Sequence, residues 1–111
     1  MLTIDALREF GADVDEGLTR CMNKADFYLM LVNKAREDDK LSKLSEQLCQ
    51  KQLDAAFETA HALKGMYANL ALTPLTRPVS EMTELLRNRT DSDYSALMKE
   101  AQIQFERLCS L

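Results

Sequence analysis

Between Lys24 and Lys64 the chain contains neither glycine nor proline, the two residues that most often interrupt regular structure. Apolar residues recur here at spacings of three and four, which is the period of one face of an α-helix. The clearest run continues past this stretch, at Leu53, Ala56, Ala60, Leu63, Tyr67 and Leu70. This pattern favours long amphipathic helices over any sheet-based fold.

Polar segments indicate where the stretch without glycine or proline divides into separate helices. We predict a first long helix from about Lys24 to about Cys49. The charged run 36–40 lies where its apolar stripe changes phase, so this helix is either straight or bent there. The stripe before that run is Phe27, Leu31 and Ala35, and the stripe after it is Leu41, Leu44 and Leu48. A polar turn at 50–52 then lets the chain reverse into the helix that carries the clearest run.

Two more helices complete the pattern. One opens at Thr73 and Pro74, and its predicted buried face is Leu75, Val79, Met82 and Leu86. Pro78 either bends this helix or moves its start to about Thr76. The last helix follows the acidic run 90–93, and its predicted buried face is Tyr94, Met98, Ala101, Phe105 and Leu108.

The N-terminal residues precede these long helices. They predict short helices at Ile4–Phe10 and at about Asp13–Cys21, with Gly11 as the stop signal between them. We therefore predict an all-α fold, an antiparallel four-helix bundle with one or two short N-terminal helices. The 111 residues suffice for one hydrophobic core, so we expect residues 1–111 to form a single helical bundle domain.

Charge and cysteine usage narrow the class of partner. With a net charge of −4, the chain lacks the positive electrostatic field on which nucleic-acid binding depends. We therefore expect no nucleic acid partner. Cys21, Cys49 and Cys109 form no Cys-x-x-Cys pair, which is typical of reduced thiols in the cytoplasm. The N-terminus shows no signal-peptide pattern, and no window approaches the roughly 18 apolar residues of a membrane span. We expect a cytoplasmic protein with no membrane partner.

His61 is the only histidine of the chain. Nothing marks a second catalytic partner for a Ser-His-Asp or Cys-His device. Glu58 and His61 match one half of a di-iron ligand set in a helix bundle, but the second half is missing, so we expect no metal site. A surface histidine with no role is the plain alternative.

The helical neighbours of His61 give it a context. It lies about 100° around the helix from Ala60, on the flank of the apolar stripe, where it can reach solvent. Lys64 and Gly65 follow one turn later and Ala68 one turn beyond. A glycine within a helix costs about 1 kcal/mol relative to alanine, which indicates that something approaches closely there. The lysine could stabilise a negative group carried on the ring.

The segment His61–Gly65, which reads His-Ala-Leu-Lys-Gly, resembles with its continuation Met66–Leu70 the signature of histidine-containing phosphotransfer (HPt) domains. Asp13–Arg20 resembles the short N-terminal helix that these domains often carry. Asp26–Leu29 resembles the start of their first long helix, so the similarity covers nearly the whole chain. The sequence departs from the family at Ala68 and Ala71, where glycines are frequent, and at the prolines on either side of Arg77.

The resemblance implies a phosphorelay protein. His61 would be the nucleophile that takes a phosphoryl group from the aspartyl phosphate of one receiver domain and gives it to another. The partners would be response-regulator receiver domains or a hybrid sensor histidine kinase. The domain itself would bind no cofactor, because the receiver would supply Mg²⁺. It would be a phosphoryl carrier and not an enzyme with ATP-dependent kinase activity.

Four neighbours of His61 receive roles under this hypothesis. Lys64 would support the phosphoryl oxygens, although a solvated lysine is its plain alternative. Gly65 would admit the partner's backbone, and Ala68 would extend the docking surface or simply pack. Phe57, one turn before His61, would form an apolar rim for docking or belong to the core. Outside this set, Thr83 is a candidate for a hydrogen bond to the His61 ring.

Two other classes of protein remain open from the sequence. A helical adaptor or scaffold could use the same bundle without phosphorylation. A metal-binding bundle would need ligands beyond Glu58 and His61, for example from a second copy.

Overall fold

The computed structural model describes all 111 residues and contains seven helices and no strand. The all-α fold predicted from the sequence is confirmed. The helices are α1 Ile4–Phe10, α2 Val14–Arg20, α3 Ala25–Glu37, α4 Lys40–Cys49, α5 Leu53–Asn69, α6 Thr73–Arg87 and α7 Ser95–Cys109. None of them combines the length and the apolar character needed to cross a bilayer.

The two short N-terminal helices lie where the sequence predicts them. Thr3 caps α1 by accepting a hydrogen bond from the backbone of Ala6, and Gly11 ends α1 with a φ of 110°. Asp13 caps α2 by accepting from the backbone N–H of Glu16. The backbone N–H of Asp13 also donates to the carbonyl of Ala71 at 2.9 Å, so this segment is attached to the turn between α5 and α6.

The predicted first long helix is two helices. Residue Asp38 has extended backbone angles, and its carboxylate accepts hydrogen bonds from both the backbone N–H and the ammonium of Lys40, each at 2.8 Å. An aspartate that bonds its own neighbouring backbone competes with helical hydrogen bonding. The charged run therefore separates α3 from α4 rather than bending one helix.

The rotation of α3 also differs from the prediction. Its buried residues are Tyr28, Val32 and Ala35, whereas Phe27 is 45% exposed. The Tyr28 hydroxyl donates to the carbonyl of Leu70 at 2.8 Å in the interior. Burial of this ring, stabilised by a long-range hydrogen bond, turns the helix by about one residue from the predicted stripe.

The remaining helices close the bundle. Helix α5 packs between α4 and α6, α6 packs on α7, and α3 contacts α7. The predicted inner faces of α5 and α6 are buried apart from half-buried Leu53. The later start at Thr76 is wrong: α6 begins at Thr73, and Pro78 lies buried inside it. The bundle thus fixes both helices on which the candidate site depends.

Gly17→Ala is expected to destabilise the protein by about 1–2 kcal/mol, because the added methyl overpacks a buried contact. The new Cβ would lie 2.6 Å from two ring carbons of Tyr28, which is too close for any carbon contact. Urea and thermal unfolding followed by circular dichroism measure the change.

Gly65→Ala is the matched control, because a Cβ at Gly65 meets no atom within 4 Å. This control is expected to be as stable as the wild type or more so. A Gly17→Ala variant with unchanged or raised stability would contradict the close packing of α2 on Tyr28.

Candidate functional site

One side of α5 carries the residues that the sequence singles out. His61 and Gly65 are exposed, while Lys64 and Ala68 are half-buried. Their spacing of three, four and seven residues from His61 places all four on one side of the helix. The opposite side of α5 is buried in the core through Ala56, Ala60, Leu63 and Tyr67. The strong apolar stripe therefore orients His61 toward solvent.

Phe57 lies one turn before His61 and contacts it directly. The two ring centroids are 5.7 Å apart with an angle of 24° between the ring planes, so the rings are stacked. Phe57 is half-buried and packs against the core with its inner part. Phe57 therefore contributes to the core, and its role as an apolar rim for docking stays a prediction.

Two arginines that the sequence did not single out lie over the ring of Phe57. The guanidinium carbon of Arg89 is 4.8 Å from the ring centroid, and that of Arg87 is 5.3 Å from it. Arg89 also forms an ion pair with Asp54 in the first turn of α5. These arginines follow His61 by more than 20 residues, and only the register of the α5–α6 hairpin could have located them.

Lys64 remains beside His61 but points to an acidic partner. Its ammonium lies 3.5 Å from one carboxylate oxygen of Glu84, whose other oxygen accepts from Arg87 at 3.3 Å. The hydrogen bond from Arg87 and its charge, followed by those of Lys64, hold the pKa of the Glu84 carboxyl below its usual value. Glu84 is a third neighbour of the site that the sequence analysis did not single out.

The surface at Gly65 is open. A Cβ built at this glycine would meet nothing within 4 Å, so packing inside the chain does not require glycine here. Ala68 lies one turn further along, in a groove whose walls include Glu16, Arg20 and Arg77. The side of α5 that carries His61 is thus uncrowded.

Two further residues that the sequence analysis named are Thr83 and Glu58. Thr83 is buried, and its hydroxyl donates to the carbonyl of Val79 at 2.7 Å, so the idea that it bonds the His61 ring is wrong. Glu58 is exposed beside His61, and no group of three or more His, Cys, Asp or Glu side chains is arranged to hold a metal ion.

This arrangement suits a reaction on the imidazole. The His61 ring is exposed, and the ring of Phe57 stacks on it. Lys64 lies one turn from His61 and could approach an anion carried on the ring, whereas Arg87 and Arg89 lie over the neighbouring ring of Phe57. Lys64 and Arg87 are both paired with Glu84, and Arg89 is paired with Asp54, so Lys64 would have to leave Glu84 to approach such an anion.

Comparison with known proteins identifies the family. A family model described as the Hpt domain matches residues 27–110, a range that starts within α3 and runs to the end of α7. A search of curated proteins and a search of solved structures each returned no match. Hpt domains take part in phosphorelay signalling as phosphocarrier modules rather than kinases. Because the match spans most of the chain and contains His61, this protein belongs to the Hpt domain family.

Proposed function

We propose that this protein accepts a phosphoryl group on His61 from one response-regulator receiver domain and donates it to another. The observation that carries this proposal is the position of the only histidine, exposed on α5 within the family match and beside the open surface at Gly65. A hybrid sensor histidine kinase could be one source of the phosphorylated receiver.

The transfer is a displacement at phosphorus. The lone pair of a His61 ring nitrogen forms the new N–P bond, while the O–P bond of the receiver's aspartyl phosphate breaks. The aspartate carboxylate leaves with the bonding electron pair, and donation to the second receiver reverses the step. Such transfer depends on in-line placement and charge neutralisation, and Mg²⁺ held by the receiver would supply part of the latter.

The neighbours of His61 would stabilise the phosphoryl group and form the docking surface. Lys64 would leave Glu84 and approach the phosphoryl oxygens, and Arg87 would keep Glu84 paired after that exchange. Gly65 and Ala68 would let the receiver approach closely, and Phe57 would cover one side of the ring. The chain itself would need no cofactor.

The test offers the purified protein a panel of receiver domains labelled at their aspartate. Transfer of an acid-labile, alkali-stable label to this chain is the expected result, because that stability is characteristic of phosphohistidine. ATP alone should give no label, since the chain has no nucleotide-binding motif. Receivers that bind this protein but never transfer label, while labelling another Hpt domain, would favour the adaptor alternative.

Lys64→Ala is expected to slow transfer about 3- to 10-fold, because a partly exposed charge-assisted contact to the phosphoryl group is lost. Single-turnover transfer from a labelled receiver measures the rate.

Lys99→Ala removes the same charge from an exposed position on α7 and is the matched control. Equal effects of the two substitutions would mean that Lys64 acts only through the overall charge of the protein.

A further inference from the structure

We propose that Arg89 is a positioning residue for His61 and that it acts through Phe57. This inference rests on the proposed function of His61 and adds a residue to it. Arg89 lies just beyond the end of α6, and its guanidinium carbon is 4.8 Å from the centre of the Phe57 ring. The same ring stacks on His61.

The guanidinium of Arg89 is anchored at both helices of the hairpin. Its Nε donates to the carboxylate of Asp54 in the first turn of α5. Its Nη1 donates to the carbonyl of Leu86 at 2.8 Å and to that of Arg87 at 3.3 Å, at the end of α6. A planar group with several fixed donors can hold these partners together, which a lysine cannot do. The cation over Phe57 is therefore held in place from both sides of the hairpin.

The backbone at Arg89 forms the turn that ends α6. The N–H of Thr90 bonds the carbonyl of Leu85 at 3.0 Å, and the N–H of Arg89 bonds that of Leu86 at 2.9 Å. These two hydrogen bonds are the Schellman pattern that ends a helix. In this pattern the residue after the C-cap, here Arg89, has a left-handed backbone conformation. Arg89 has a φ of 52°, where glycine would be least strained. Glycine at this position would keep the turn and lose only the side chain.

Orientation of the imidazole matters because its reactive lone pair lies in the ring plane. Stacking on Phe57 sets the tilt of that plane, and so the direction in which a nitrogen meets phosphorus. A receiver docked on α5 presents its phosphoryl group from a fixed direction, so a freely rotating imidazole would be aligned for only part of the time. Arg89, by holding Phe57, keeps the ring aligned.

The first test observes the ring itself. As the only histidine, His61 gives one imidazole spin system in an NMR spectrum, and the ring current of Phe57 shifts its ring protons. Phe57→Leu removes that ring current and defines the unstacked shift. Arg89→Gly is expected to move the His61 ring protons toward that value, while circular dichroism shows an unchanged helical content.

Arg107→Ala is the matched control. Its guanidinium carbon lies 5.0 Å from the ring centre of Phe10, so it removes an equivalent contact where α7 meets α1. This control should leave the His61 ring protons unmoved. If Arg89→Gly also leaves them unmoved, the positioning role is overturned, whatever His61 does.

The second test separates positioning from reactivity. Arg89→Gly is expected to lower receiver-to-His61 transfer roughly 3- to 10-fold, the value of a lost cation–π contact and the alignment it supports. Phosphoramidate, a small donor whose N–P bond breaks with loss of ammonia, can approach from any direction and should label Arg89→Gly and wild type at similar rates. Equal loss with both donors would overturn positioning in favour of a direct effect on reactivity.

The two tests also separate this inference from the proposed function. A wild-type protein that accepts nothing from receivers, but whose His61 shifts move in Arg89→Gly, would contradict phosphotransfer and support the Arg89–Phe57–His61 arrangement. A wild-type protein that accepts label, and whose Arg89→Gly variant changes neither shifts nor rate, would support phosphotransfer and contradict positioning by Arg89.

Discussion

His61→Gln should abolish phosphoryl acceptance completely. His61 is the only imidazole of the chain, and the amide of glutamine has no nucleophilic nitrogen comparable with it. The side chain is exposed, so the substitution should change the free energy of unfolding by no more than about 0.5 kcal/mol. Labelling by a phosphorylated receiver measures the first effect, and urea unfolding measures the second.

Receiver binding by His61→Gln is the control for this prediction. The variant keeps Gly65, Ala68 and Phe57, so an unphosphorylated receiver should still bind it with an affinity close to that of the wild type. Label that persists in His61→Gln would remove His61 from the mechanism. Loss of both label and binding would show that His61 contributes to docking rather than to transfer alone.

Gly65→Leu is expected to raise stability and suppress transfer at the same time. Leucine is a better helix former than glycine by roughly 0.5–1 kcal/mol, and a Cβ at this position meets nothing within 4 Å beyond the neighbouring backbone of its own helix. The same side chain would project beside His61 into the space that a receiver would occupy under the proposed function. Transfer should fall at least about 30-fold, the effect expected at the centre of a protein interface.

Ala96→Leu is the matched control for Gly65→Leu, because Ala96 is an exposed small residue on α7. It adds leucine to the surface away from α5 and should leave transfer unchanged. Unfolding and single-turnover transfer are measured on both variants. If Gly65→Leu transfers as fast as the wild type, the receiver does not approach over Gly65.

The side of α5 that carries His61 could be predicted because it depends on one helix. A regular spacing of apolar residues buries Ala60 and Leu63, and this leaves His61 and Gly65 in solvent. The helical period relates such residues to one another without reference to the rest of the chain. The central motif of the family resemblance lies in this same segment, and the match of the Hpt family model confirms the family.

The break at Asp38 and the rotation of α3 could not be predicted in this way. Both result from competition between alternatives that the sequence permits almost equally. Asp38 can continue a helix or bond the backbone of Lys40, and the hydrogen bonds to Lys40 end the helix. Either Phe27 or Tyr28 could face the core, and the carbonyl of Leu70, 42 residues away, selects Tyr28.

The surroundings of His61 also contain some features that the sequence predicts and others that only helix packing decides. The sequence by itself determined the all-α fold, the inner faces of α5 and α6 and the residues that flank His61 on α5, because these follow from local spacing. Only the tertiary structure brought Glu84, Arg87 and Arg89 to the site, because the register of α6 against α5 decides which side chains meet. Contacts between residues far apart in sequence depend on how whole helices pack, and no local pattern records that packing.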